Sequence, residues 1–140
     1  GSRGYAAPIV RASGYGANRD YRRTCHDDLL LSAQIEHVDA VENIADIAAT
    51  PGIDALFIGP NDLAGSIGRL EELDHPEVLT VCEKAEQQIL QSGKWLGSIV
   101  RPGRTAADLH ALGCRIIAGP SDIGIFLSGA DAAHEEYRIA

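Results

Sequence analysis

Apolar residues in this chain fall into two kinds of segment. In one they form short, nearly continuous runs; in the other they recur at every third or fourth position. The continuous runs are Leu29–Glu36 (LLLSAQIE), Ala55–Gly59 (ALFIG), Leu96–Val100 (LGSIV) and Arg115–Gly119 (RIIAG). Such runs suit parallel strands covered on both faces. Helical patterns alternate with them. Asp39–Ala49 (DAVENIADIAA) sets Val41, Ile44, Ala45 and Ala48 on one face and stops before Pro51-Gly52, a termination signal. A helix of small residues opens directly after the second strand, at Gly59-Pro60-Asn61-Asp62. Pro76–Ser92 places Val78, Cys82, Ala85 and Ile89 at helical spacing, with Pro76 near its start and Gly93 after its end, the expected asymmetry. Thr105–Leu112 opens on a capping threonine and closes at Gly113, and Ile125–Tyr137 is weakly helical, interrupted by Gly129. The order β-α-β-α-β-α-β-α predicts a parallel sheet or barrel with right-handed crossovers. Residues 1–28, rich in Gly, Arg and Tyr, lack periodicity and read as a long loop with a short helix. The chain is thus read as a 1–28 loop region, β/α units over 29–123 and a C-terminal helix over 124–140.

Composition narrows the function classes. A chain of 140 residues, 45% hydrophobic, can build one domain with a sizeable core and is not disordered. The net charge of −8 argues against nucleic acid or anionic membrane as the main partner. No apolar run approaches the ~18 residues of a membrane span, and GSRGYAAPIV has no signal-peptide core. Cys25, Cys82 and Cys114 are odd in number, far apart and without metal-ligand spacing, as free thiols of an intracellular protein are. These features predict a soluble, acidic, cytoplasmic protein and say nothing of its chemistry.

Chemistry in β/α folds gathers at the C-terminal ends of strands. The first strand ends in Gln34-Ile35-Glu36, whose two polar side chains, two residues apart, share a face. The second ends just before Asp62. Two carboxylates on adjacent strand ends suit a hard divalent cation, Mg²⁺ or Mn²⁺, with water and substrate oxygens completing the shell. The other reading makes Asp62 a helix cap and Glu36 a solvated strand end. The same spelling returns later: IGPND follows the second strand and AGPSD the fourth. Gly-Pro-x-Asp is good strand-to-helix turn chemistry, and Asp122 is read as a cap.

The stretch SAQIEHVDAVENIADIAATPGIDALFIGPNDLAGSIG, together with SRGYA…RAS before it and GCRIIAGPSDIGIFLSGA after it, resembles the metal-dependent pyruvate aldolases of the HpcH/HpaI type. This family includes 2-keto-3-deoxy-acid aldolases and macrophomate synthase. The resemblance implies an α/β fold, the (β/α)8 TIM barrel of the phosphoenolpyruvate/pyruvate type, of which the chain supplies about strands 5–8. It implies Glu36 and Asp62 as metal ligands for Mg²⁺, Mn²⁺ or Co²⁺ and Gln34 as a substrate contact. It makes Gly59, Pro60 and Asn61 the turn that receives the carboxylate of pyruvate. The implied activity is that of a carbon–carbon lyase working through the enolate of a 2-oxo acid, pyruvate or oxaloacetate, with an aldehyde as second partner. A homo-oligomer, a hexamer in relatives, is implied as well.

Several residues stand apart from that pattern. The family's catalytic histidine and substrate arginine belong to the first half of its barrel, and His26, His37, His75, His110 and His134 match neither. Lys84 and Lys94 lie in or just after a helix, away from strand ends where a Schiff-base lysine would sit. Arg101, ending the third strand, is a candidate contact for an acidic aldehyde or the distal end of substrate. Arg3 is a candidate for lining the site or a subunit interface, His37 for capping a loop and Trp95 for packing. Two other functions fit the same residues: a citrate-lyase-β-like lyase acting on coenzyme A thioesters, and a non-catalytic half-barrel serving assembly.

Overall fold

The structure, a computed structural model, describes residues 4–138. Arg3 lies outside the described residues. The chain divides into two compact units, one ending at Leu31 and one beginning at Ser32. The first holds a 3-10 turn at Arg11–Ser13 and a four-residue helix, α1, at Tyr21–Thr24. Its turn is organised by Ser13, the buried residue of that segment. The Ser13 hydroxyl bonds the carbonyls of Ala7 and Val10 and accepts from the Gly16 amide. Gly16 has φ +86, and a Cβ there would sit 2.8 Å from the Pro8 carbonyl oxygen, so only glycine fits.

The second unit is a parallel four-stranded sheet in sequential order: β1 Ser32–Ile35, β2 Ala55–Ile58, β3 Trp95–Ile99 and β4 Ile116–Ala118. The helices are α2 Val38–Glu42, α3 Ile44–Ala49, α4 Pro60–Ser66, α5 Pro76–Gln91, α6 Ala106–Leu112 and α7 Asp122–Tyr137. Sequential parallel order with right-handed crossovers keeps the connecting helices on one face, and the core forms there. Ile35, Leu56, Ile58 and Leu96 from the strands meet Val41, Ile44, Leu63, Val78, Ile89 and Leu109 from α2 to α6, all essentially solvent-free. The register pairs Gln34 with Phe57 and Phe57 with Gly97. Gln34, Phe57, Gly97, Ile99 and Ala118 therefore line the opposite face, as the inside of a barrel would. There the Phe57 ring lies on Gly97 and leaves no space for a Cβ.

Local chemistry explains where elements differ from the sequence pattern. The first strand begins at Ser32, and Leu29–Leu31 before it are exposed. The helix read over 39–49 is two helices, broken at Asn43, which leaves helical geometry at φ −105, ψ 13. Its side-chain amide donates to the Asp39 carbonyl, the local competition typical of Asn within a helix. His37 caps α2 by accepting from the Asp39 amide at 3.2 Å. α7 runs unbroken through Gly129 and starts earlier than its pattern indicates. Among the described residues, no helix is long and apolar enough to cross a membrane.

Candidate functional site

The C-terminal rims of β1 and β2 are stitched together. The Gly59 amide donates to the Ile35 carbonyl at 3.0 Å, extending the ladder one step past both strands. Ser66, closing α4, accepts from the Val38 amide at 3.1 Å and donates to the Leu63 carbonyl at 2.7 Å. The chain around Glu36 is thereby tied to the helix that carries Asp62. Gly59 is the N-cap of α4, Pro60 is its first residue and Asp62 sits in its first turn. A Cβ on Gly59 would lie 2.8 Å from Gln34 Nε2, 3.1 Å from Glu36 Cβ and 3.4 Å from Glu36 Oε2. Gln34, Glu36 and the Gly59 turn thus converge on one corner, where any side chain larger than glycine's would push Gln34 and Glu36 aside. Gln34, Glu36, Asn61 and Asp62 are exposed, while Gly59 and Pro60 are buried.

The Glu36 and Asp62 carboxylates each lack a hydrogen bond or ion pair among the described residues. Asp62 is therefore not spent as a cap, in contrast to Asp108, which closes a capping box with Thr105. Hydrogen bonds from the Thr105 hydroxyl and amide hold Asp108 below the ordinary carboxylate range. No group of three or more His, Cys, Asp or Glu is gathered in a metal-binding arrangement among the described residues. The donor set at the corner is two oxygen carboxylates. That set fits Mg²⁺ or Mn²⁺, which commonly take one or two protein carboxylates and fill the shell with water and substrate oxygens.

Two sequence expectations are corrected here. Arg101 is not offered at the rim: its side chain is 2% exposed, bound to Glu86, with Nη1 donating to Ser98 Oγ at 3.1 Å. It turns inward because α5 supplies a buried carboxylate and nothing else neutralises a guanidinium there. Asp122 does not cap α7 either. Ser121 does, accepting from the Gly124 amide at 3.0 Å. Trp95 is 44% exposed and stacks beneath the Arg115 guanidinium, 5.1 Å from the ring centroid. Lys94 donates to the Ile53 carbonyl at 2.6 Å and Lys84 pairs with Glu42, so neither faces the corner.

The sequence reading missed two residues. Ser66 carries no signal beyond its place in a small-residue helix. Glu86 does carry one, because it occupies the same helical stripe as Val78, Cys82 and Ile89, where an acid must find a partner. The same burial pushes the Cys82 thiol up, away from reactivity.

Comparison with known proteins identifies the fold that carries this corner. Residues 8–128 match the family model described as HpcH/HpaI aldolase/citrate lyase. A hydroxypyruvate/pyruvate aldolase of Cupriavidus necator is 36% identical over 138 residues, covering 99% of this chain and 51% of that protein. A 2-keto-3-deoxy-L-rhamnonate aldolase of Klebsiella pneumoniae is 34% identical, covering 94% and 49%. The crystal structure of an HpcH/HpaI aldolase/citrate lyase family protein from Burkholderia cenocepacia superposes with a TM-score of 0.83 at 36% identity, over 98% of this chain and 53% of that one. The chain spans about half the length of the curated relatives it matches. Its parallel sheet, helices on one face and acidic strand ends are accordingly part of a TIM barrel. With most of its residues inside the match, the chain belongs to the HpcH/HpaI aldolase/citrate lyase family.

Proposed function

We propose that this chain is the metal-binding half of a divalent-metal-dependent class II aldolase that makes or breaks a carbon–carbon bond next to a 2-oxo acid, pyruvate or oxaloacetate, with an aldehyde as the other partner. One observation carries the reading: Gln34, Glu36 and the Gly59 turn crowd one corner at the rim where Asp62 also stands unpaired. Glu36 and Asp62 would hold Mg²⁺ or Mn²⁺. The cation supplies Lewis-acid polarisation of the keto oxygen when bound. The Gln34 amide, close to Gly59, could donate to a substrate oxygen. The Asn61 and Asp62 amides open the first turn of α4 before its ladder begins at Leu63. As free donors they suit a carboxylate. Pro60, lacking an amide, presets the backbone of that turn.

No residue here matches the family's catalytic histidine. General acid–base groups contribute roughly 10²–10⁴-fold, so the 140-residue chain alone should turn over poorly. α7 leaves Ile123, Ile125, Phe126 and Leu127 exposed, which supports assembly into a homo-oligomer. The test of the metal reading is calorimetric titration with Mn²⁺. The wild-type chain should take up the ion, and Glu36→Gln and Asp62→Ala should each lose it. Equal uptake by both variants, or none by the wild type, rules the reading out.

A further inference from the structure

The β3–α6 connection is fastened from below by one buried carboxylate. Glu86, on α5, is 1% exposed. Its Oε1 takes the Arg101 guanidinium, and its Oε2 takes Arg104 through Nε at 3.2 Å and Nη2 at 3.0 Å. Between the two arginines the backbone closes on itself. The Arg101 amide donates to the Arg104 carbonyl at 3.0 Å, and the Arg104 amide to the Arg101 carbonyl at 2.9 Å. Gly103 turns the chain at φ +73. Arg104 also bonds its neighbour's carbonyl, Gly103 O, at 3.0 Å and pairs with Glu83 at 3.4 Å. Two guanidinium groups therefore meet two carboxylates, and the loop's charges are neutralised within the fold. The Glu86 hydrogen bonds push the Arg104 guanidinium further toward its charged form.

Buried ion pairs add little net stability, and their best-attested use is to fix one conformation. The loop so fixed stands beside the candidate corner. β2 and β3 are parallel, with Phe57 opposite Gly97. Residues 59–62 and 100–104 therefore leave adjacent strands at the same rim. This loop shows Val100, Pro102 and Gly103 openly to solvent and the Arg104 side chain in part, with the Arg104 charge met by Glu83 and Glu86, so it presents no unpaired charge. A carbonyl acceptor reaching a 2-oxo acid at the corner from this side would meet that surface rather than an unpaired guanidinium.

We propose that Glu86 is a positioning residue, holding the 100–104 loop as a wall with no unpaired charge that favours an uncharged aldehyde acceptor over one ending in a carboxylate. The proposal rests on the metal–pyruvate reading above, and its test separates the two. In the full-length protein, deuterium exchange at the pyruvate methyl group, without acceptor, reports the corner alone. Aldol addition to butanal and to 4-oxobutanoate, a matched pair, reports the wall. Wild type should prefer butanal about tenfold or more in kcat/KM. Glu86→Gln should shrink that preference at least threefold through KM, with pyruvate exchange unchanged. Arg104→Ala removes only the partly exposed clamp and keeps the Glu86–Arg101 pair, so it should keep its fold, checked by circular dichroism, and show a smaller shift in the same direction. In both variants the Arg101 and Arg104 amides should exchange hydrogen faster than in wild type. Equal or better use of 4-oxobutanoate by wild type overturns the acceptor assignment. Unchanged amide exchange in both variants overturns the role of Glu86. Absent pyruvate exchange in wild type overturns the metal–pyruvate reading and the acceptor assignment with it, while amide exchange still judges Glu86.

Discussion

Two turns in this protein are spelled almost alike and behave differently. Gly59-Pro60-Asn61-Asp62 follows β2, and Gly119-Pro120-Ser121-Asp122 follows β4. In the first, the helix begins at Pro60, so Asp62 lies within its opening turn, and its carboxylate has no partner among the described residues. In the second, the helix begins two residues later. Ser121 becomes the cap, and the Asp122 carboxylate accepts from the Ile123 amide at 2.8 Å. The surroundings diverge further. β2 lies between β1 and β3, so Asp62 shares its rim with Glu36, whereas β4 pairs only with β3 in the described sheet. α4 buries Pro60, Leu63 and Ala64, while α7 buries nothing. A tetrapeptide sets turn chemistry; the neighbouring strand decides whether its acid is available for binding.

The largest effect expected from this contrast is functional. In the full-length protein, Asp62→Ala should abolish Mn²⁺ binding and lower aldolase turnover on the order of 10²-fold or more, the scale of losing one electrostatic stabiliser of developing charge. Asp122→Ala should keep the metal, by calorimetry, and most of the turnover. Loss of metal in the Asp122 variant with retention in the Asp62 variant would reverse the assignment.

Stability should separate the two helices next. Leu63 is solvent-free and Ile123 is 62% exposed. Leu63→Ala should cost about 2–5 kcal/mol in urea unfolding, and Ile123→Ala no more than about 0.5 kcal/mol. A comparable cost for Ile123→Ala would mean that a partner chain covers α7 in solution, which light scattering would register as an oligomer.

Capping should distinguish them more finely. Thr105→Ala removes the capping box of α6, whose Leu109 is in the core, and should lower global stability by about 1 kcal/mol. Ser121→Ala should speed exchange at the Gly124 amide yet leave the global unfolding midpoint almost where it was, because α7 contributes no buried residue. A clear shift of that midpoint would contradict the picture of an uncoupled helix.

The smallest effect concerns pH. Asp108 has its pKa lowered in the folded chain by Thr105. Its contribution is therefore complete above the unfolded carboxylate value and is lost as pH falls through the lower folded value. Thr105→Ala should flatten that part of the acid unfolding curve, and Ser121→Ala should leave it unaltered. Identical acid limbs in wild type and Thr105→Ala would remove the capping box as the cause.

Much of this was legible in the letters. Strand alternation put Gln34 and Glu36 on one face, and Pro76 and Gly93 bracketed α5 within a residue of its observed span, because these signals are local. The break at Asn43 and the start of α7 at Asp122 were not, since each depends on which of several competing hydrogen bonds the surrounding backbone leaves open. The sequence by itself determined the β/α order, the parallel sheet and the acids at the strand ends, since periodicity and turn chemistry act between residues close in the chain. Only the tertiary structure decided that Arg101 turns inward and that α7 stays bare. A charge commits to a partner, and an apolar stripe to a surface, only when distant segments meet. Glu86 and Arg101 are fifteen residues apart, and for Ile123, Phe126 and Leu127 no covering surface is folded within the described chain.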